Sequence, residues 1–235
     1  MDGNSVATRA QALIQKRDEL AVAANRDPRS IKLVGVSKGH SPELIRHAAT
    51  AGIGTFAENY VQEWEAKREA LSGLQVDWHF IGHLQTNKVK AVVGNFDLIH
   101  SADRPSLLNT IGRFAQDLGI EQDVLIEVNV AGESGKAGIN PRAGKSLISE
   151  WDNIDGIRLC GLMLMPPPTL NPEDSRPYFQ NARRWLDEWR PSRGDRHPWN
   201  ELSMGTTQDF AIAIAEGATI LRVGTALFGA RDHGI

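Results

Sequence analysis

The sequence is short of most features that would mark a disulfide scaffold, a membrane protein or a nucleic-acid binder. A single cysteine, Cys160, stands among 235 residues, which excludes an internal disulfide framework and any cysteine metal site. It lies in an apolar run, so a core thiol is expected, and a reducing compartment, the cytoplasm, is the expected location. No apolar segment approaches the ~20 residues that span a bilayer. The start Met1-Asp2-Gly3-Asn4 lacks the basic and apolar regions of a signal peptide. Charge of one sign is missing too: 26 Lys and Arg against 29 Asp and Glu leave a net charge of -3, with no run of like charges to favour nucleic acid or an anionic membrane surface. No G-x-G-x-x-G follows a strand, the seven histidines form no H-E-x-x-H, and there is no G-x-S-x-G elbow. A Rossmann domain, a zincin site and an α/β-hydrolase nucleophile are all disfavoured.

What is present is a repeated strand-then-helix pattern. An amphipathic helix over Ser5 to Ala24 precedes a first strand, Leu33-Val34-Gly35-Val36, which breaks at Ser37-Lys38-Gly39-His40. Ser41-Pro42-Glu43 then opens a helix, with serine as cap and proline at the first helical position. Further strands are predicted over Thr55 to Asn59, Asp77 to Gly82, Phe96 to His100, Val124 to Val130, Ile157 to Met165, Glu201 to Gly205 and Thr219 to Leu227. Helical stretches separate them, and Pro191 to Pro198 reads as a polar, exposed loop. Eight such units with short connections predict an α/β fold, a closed parallel (β/α)8 TIM barrel in a single domain over 1–235. The last helix is expected to be missing or replaced by the N-terminal one.

Chemistry in such barrels sits at the C-terminal ends of the strands. Here those positions are Lys38, Asn59, Gly82-His83, Asn129, Met163 to Met165, Ser203-Met204-Gly205-Thr206-Thr207 and Arg222-Val223-Gly224-Thr225. An amine at Lys38, shielded by apolar walls and near other cations, would keep the neutral fraction that attack on an aldehyde needs. A lysine that merely opens a loop is the commoner case. Ser203 to Thr207 leaves its strand through glycine and two hydroxyl residues, and Gly224-Thr225 adds a second close-approaching backbone. Together they suit phosphate, although either alone reads as ordinary capping. Arg222 shares the face of Gly224 and brings a permanent cation. It could bind an acidic substrate, pair with Glu58 or Glu201, or donate to an unprotonated ring nitrogen. Of His79, Ile81 and His83 on one strand face, His83 is the candidate to face a ligand.

Six stretches together resemble a known family: Val36-Ser37-Lys38, Glu58-Asn59-Tyr60-Val61-Gln62-Glu63, Trp78 through Lys88, Gly161-Leu162-Met163, Leu202-Ser203-Met204-Gly205 with Asp209-Phe210, and Arg222 through Gly229. They are similar to the pyridoxal phosphate homeostasis proteins, the YggS or PROSC family. The resemblance implies a barrel like the N-terminal domain of alanine racemase, with pyridoxal 5'-phosphate held as a Schiff base, an internal aldimine, on Lys38. It further implies Ser203, Gly205, Thr207, Gly224 and Thr225 around the phosphate, Arg222 facing the pyridine nitrogen, and Asn59, His83 and Met204 lining the ring pocket. The family usually continues Ser-Met-Gly with Met-Ser. Thr206-Thr207 stands here instead, keeping a hydroxyl at Thr207 and making the wall at Thr206 smaller and more polar.

The function implied is storage and delivery of the cofactor to pyridoxal-phosphate-requiring apoenzymes, by a monomer without robust turnover, catalytic residues or a metal. An amino-acid racemase-like enzyme is the alternative, and a cofactor-free Schiff-base aldolase acting on a sugar phosphate a third. Racemases of this fold pair the lysine with a tyrosine from a second, β-rich domain. This sequence ends at Ile235, soon after its last strand, and has only Tyr60 and Tyr178, both in helical stretches.

Overall fold

Alternation along each strand decides what faces inward in the computed structural model, which describes residues 3–133 and 135–230. The strands are β1 (Lys32–Val36), β2 (Thr55–Glu58), β3 (Asp77–Phe80), β4 (Leu98–Ala102), β5 (Gln122–Val128), β6 (Ile157–Leu164), β7 (Glu201–Ser203) and β8 (Ile220–Val223). Each pairs in parallel with the next, and β8 returns to β1 through Lys32↔Ile220 and Gly35↔Val223, closing the barrel. One row of side chains, including Val34, Ala57, Leu125, Met163 and Ile220, fills the interior. The opposite row, including Leu33, Phe56, Phe80, Val124, Leu162 and Leu221, packs outward under the helices. Strands buried on both faces need apolar residues at both parities, which is why these segments read as continuous apolar runs.

The helices are α1 (Gly3–Ala23), α2 (Pro42–Thr50), α3 (Val61–Arg68), α4 (Val89–Val92), α5 (Pro105–Asp117), α6 (Gly144–Trp151), α7 (Arg176–Glu188), α8 (Phe210–Ala215) and α9 (Thr225–Phe228). α1 packs against α2, α8 and α9. Its Arg9 donates Nε to the Leu227 carbonyl at 2.9 Å and Nη2 to that of Phe228 at 3.2 Å. The N-terminal helix thus fills the outer position that a full-length eighth helix would take. Val6 and Ala10 are fully buried on its inner face.

Three expectations are corrected. The eighth strand does not reach Leu227: β8 stops at Val223, and the amides of Leu227 and Phe228 turn back to the Gly224 carbonyl at 2.9 and 2.8 Å to make α9. An apolar run as short as Ala226-Leu227-Phe228 carries no period that separates strand from helix. β4 starts at Leu98, not Phe96: its pairing with β3 begins at His79↔Leu98. Phe96 instead packs outside the barrel against Trp64 and Phe80, with ring centroids 4.8 and 5.4 Å away. The 191–198 segment is not wholly exposed either. His197 is buried, with Nε2 3.0 Å from the Asp152 carboxylate and Nδ1 accepting from the Leu159 amide at 3.1 Å. The outermost ends of the expected 1–235 domain, and Ser134, lie outside the described residues.

Candidate functional site

Adjacent strands carry Lys38 and Arg222. β1 pairs with β8, Val34 opposite Arg222, and the Ser37 amide bonds to the Ala57 carbonyl at 3.0 Å, carrying the ladder one residue past β1. Lys38 then turns off, half-buried, between buried Ser37 and exposed Gly39.

Arg222 shares the inward row of Ile220 and is 6% exposed. Its Nη1 donates to Ser203 Oγ at 2.5 Å and its Nη2 to the Leu164 carbonyl at 2.9 Å. Ser203 Oγ also lies 3.1 Å from His100 Nδ1, and His100 Nε2 lies 3.0 Å from His79 Nδ1. A polar chain therefore runs through the barrel interior from Arg222 to His79. Desolvation pushes His79 down to about 3, helped by the charge of Lys32. His100 is driven well below its ordinary range, by desolvation first and then by His79, Arg222 and Lys32. Both imidazoles are neutral at ordinary pH. Burial lowers Arg222 to about 10 against the opposing pull of Asp209 and Glu127, so at neutral pH it remains a charged donor. Such a group can bond an unprotonated acceptor and does not give it a proton.

Beside Arg222 two loops meet. Gly205 has φ +91°, and a Cβ there would come within 2.5 Å of Ala213 Cβ, so the fold itself imposes glycine. Thr206 donates its amide at 2.7 Å and its hydroxyl at 3.0 Å to the Asp209 carboxylate, a self-contained cap. Thr207 Oγ1 accepts from the Ala226 amide at 3.2 Å, stitching the β7 loop to α9. Gly224 is different in kind: nothing comes nearer than 3.7 Å to a Cβ built there. Packing does not demand glycine at Gly224, and the room before it, with exposed Thr225 alongside, lies between the loops of β7 and β8 where barrels often hold phosphate.

On the other flank, Asn59 follows β2 half-buried, and its Oδ1 is buried without a hydrogen-bond partner among the described residues. Leaving such an acceptor unmet costs about 1–3 kcal/mol, which a ligand donor would relieve. Asn59 and exposed His83 line a cavity of about 260 Å³ with Tyr60 and Lys88. Met204 is fully buried in the layer between barrel and helices. The Ser203 hydroxyl, expected near phosphate, is taken up by Arg222 and His100.

Three features escaped the sequence reading. Glu127 pairs in register with Met163 and shares the inward row of Leu125. Desolvation, then Asp103, pushes it up to about 7, while Arg222 draws it down. A glutamate among Leu125, Ile126 and Val128, at the parity of inward Leu125, was the available signal. His100 could have been found in the same way. The third is a buried ionic cluster of Glu58, Glu63 and Lys67 behind Ser37. Cys160 is the core thiol expected, pushed up by burial and then by Asp123. Among the described residues no group of three or more His, Cys, Asp or Glu could hold a metal ion, and no helix is long and apolar enough to cross a membrane.

Known proteins share both the fold and the sequence. The profile of the alanine racemase N-terminal domain matches residues 12–232. A pyridoxal phosphate homeostasis protein of Aquifex aeolicus is 44% identical over 225 residues, 96% of this chain and 98% of that one. One of Pseudomonas aeruginosa is 37% identical, covering 92% of this chain and 91% of its own. The solved structure of PipY from Synechococcus elongatus with pyridoxal phosphate bound superposes with a TM-score of 0.80 at 35% identity, covering 92% of this chain and 100% of that one. By profile, sequence and fold, this chain belongs to the pyridoxal phosphate homeostasis protein family, built on the alanine racemase N-terminal domain.

Proposed function

We propose that the protein binds pyridoxal 5'-phosphate at the barrel mouth and stores and delivers it, limiting the free aldehyde, without turning over amino acids at enzymatic rates. The observation that carries this reading is the buried, charged guanidinium of Arg222 on the strand next to Lys38, with unfilled room at Gly224. The names of the relatives and the bound pyridoxal phosphate in PipY support it.

The residues fit such a ligand. Lys38 would hold it covalently through Nζ, and Gly205, Thr207, Gly224 and Thr225 would surround its phosphate, with Ser203 below. Asn59 and His83 would flank the ring, whereas Met204, buried between barrel and helices, would back that wall without touching it. The bound cofactor supplies an aldehyde and a pyridine ring that draws electrons best when its nitrogen is protonated. Arg222 works against that protonation: still charged at neutral pH, it offers the nitrogen a hydrogen bond and no proton. Ser203 and the Leu164 carbonyl fix the guanidinium in place, and the neutral His100 and His79 beneath it supply no proton. The recipients would be pyridoxal-phosphate-requiring apoenzymes, and a cytoplasmic monomer is the corresponding form.

Borohydride reduction followed by peptide mapping tests the reading, and should find a pyridoxyl group on Lys38. Protein that is colourless and takes up no added pyridoxal phosphate, or a label on another lysine, refutes it. A racemase-like enzyme is the second reading, favoured by Glu127, a carboxyl titrating near neutrality beside Arg222. A positioned acid–base group contributes on the order of 10² to 10⁴ in rate. Steady racemisation or decarboxylation of a common amino acid at tens per second, abolished by Lys38→Ala, would replace the carrier reading with that one.

A further inference from the structure

We propose that Lys67 is a positioning residue for Lys38: its buried ammonium, with Glu58 and Glu63, clamps the two peptide groups on either side of Lys38. This deepens the reading above and rests on its assignment of Lys38.

Lys67 lies on α3 and is 6% exposed. Its Nζ donates to the Ser37 carbonyl at 2.8 Å, to Glu58 Oε1 at 2.8 Å and to Glu63 Oε1 at 2.6 Å, which uses all three of its protons. Glu58 Oε1 also accepts from the Ser37 hydroxyl at 2.7 Å, and Glu63 Oε1 accepts from the Gly39 amide. The Ser37 carbonyl belongs to the peptide entering Lys38 and the Gly39 amide to the peptide leaving it. Peptide units are planar, so holding both leaves the backbone dihedrals of Lys38 with little freedom. The cluster thus fixes the base from which the Lys38 side chain departs.

Stability alone does not account for such a cluster. Buried ion pairs exchanged for apolar groups of similar volume are often neutral or stabilising. This one also leaves Glu58 Oε2 buried without a partner among the described residues, and desolvation pushes the Glu58 carboxyl up despite Lys67. What it supplies and an apolar filling could not is simultaneous acceptance and donation at the two peptides. It also gives a use to both ends of the stretch Glu58-Asn59-Tyr60-Val61-Gln62-Glu63, of which the cavity takes only the middle, Asn59 to Gln62.

The test compares two ligands on the full chain. Pyridoxal 5'-phosphate needs a correctly aimed amine. Pyridoxine 5'-phosphate has no aldehyde and reports only on the ring and phosphate pocket. In Lys67→Met, the rate at which pyridoxal 5'-phosphate becomes borohydride-fixable on Lys38 should fall about tenfold or more, the scale of one lost charge-assisted hydrogen bond. Affinity for pyridoxine 5'-phosphate should stay within about twofold, and Lys67→Arg should recover part of the rate. Glu63→Gln, at a partly exposed position where folding is not at issue, should slow capture by a few-fold, because an amide oxygen still accepts from Gly39. Equal loss for both ligands would make the cluster a folding element and overturn the proposal, as would unchanged capture in Glu63→Gln and Lys67→Met. A label on another lysine in the unaltered protein would overturn the reading of Lys38 and this proposal with it, so the two failures are distinguishable.

Discussion

Glu127→Gln probes the electrostatics of the mouth through stability. Glu127 titrates at about 7 in the folded protein against 4.5 for a free carboxyl, chiefly because the barrel strips its solvation. Between those values the folded chain binds the proton more tightly than the unfolded chain, so stability declines as pH rises from about 4.5 through about 7 and then levels off. The gap corresponds to about 3 kcal/mol at ~1.36 kcal/mol per pH unit, a ceiling that partial exposure reduces to about 1–3 kcal/mol. Glutamine has the shape of the protonated acid and nothing to lose. The variant should match the parent at pH 4 within about 0.5 kcal/mol and exceed it by about 1–3 kcal/mol at pH 8. Urea unfolding of the ligand-free protein at several pH values reads this as a shift in midpoint at constant slope. Parallel pH profiles for the two proteins would refute the reasoning. A variant less stable at pH 8 would show that Arg222 needs the ionised partner more than the carboxylate needs water.

Three further outcomes are expected. Gly224→Ala and Thr207→Ala should weaken pyridoxal 5'-phosphate at least about tenfold more than pyridoxal, because only the ester uses that room; equal loss for both ligands would refute the phosphate assignment. Gly205→Ala, forced to φ +91° against Ala213, should instead cost about 1–3 kcal/mol of stability and weaken both ligands alike. Acid should destabilise the protein through His79, since the unfolded chain takes up its proton below about pH 6.5 while the folded one does not until about 3. His79→Gln, though weaker by about 1 kcal/mol overall from the altered bond to His100, should flatten the decline measured by urea unfolding between pH 4 and 6.5, and an unchanged slope would refute the assignment.

Strand positions were legible because a parallel barrel buries both faces of every strand, and Val124 to Val128 or Leu33 to Val36 leave no other place for so much apolar surface. The ends of elements were less legible. Ala226-Leu227-Phe228 is equally apolar as strand or as turn, and only the break at Gly224 decides. Lys38, Arg222 and Gly224 could be read from their place at strand ends. The partners that make them a site could not: His100 reaches Ser203 across 103 residues and Lys67 reaches Ser37 across 30, and no local pattern encodes such pairings. Thr206 shows the opposite case, in which a local cap to Asp209 uses a hydroxyl that the sequence alone leaves open to a ligand, while Thr207 accepts from Ala226 and keeps its own proton to donate.

The interior chain from Arg222 to His79 has a direction as well as a path. A guanidinium has only donors, so Ser203 Oγ must accept from it, and the serine proton is then free to go to His100 Nδ1. That assigns His100 the Nε2–H tautomer, which donates to His79 Nδ1, and leaves the proton of His79 on Nε2 beside a cavity it lines with Lys32 and Asp77 at the opposite end of the barrel. Reversing the order would leave the buried serine proton with no acceptor, since among the described residues Ser203 Oγ bonds only to Arg222 and His100. The charge at the mouth therefore sets the tautomeric state of an imidazole at the far end, and nitrogen chemical shifts of His79 should record a loss of that charge in Arg222→Gln.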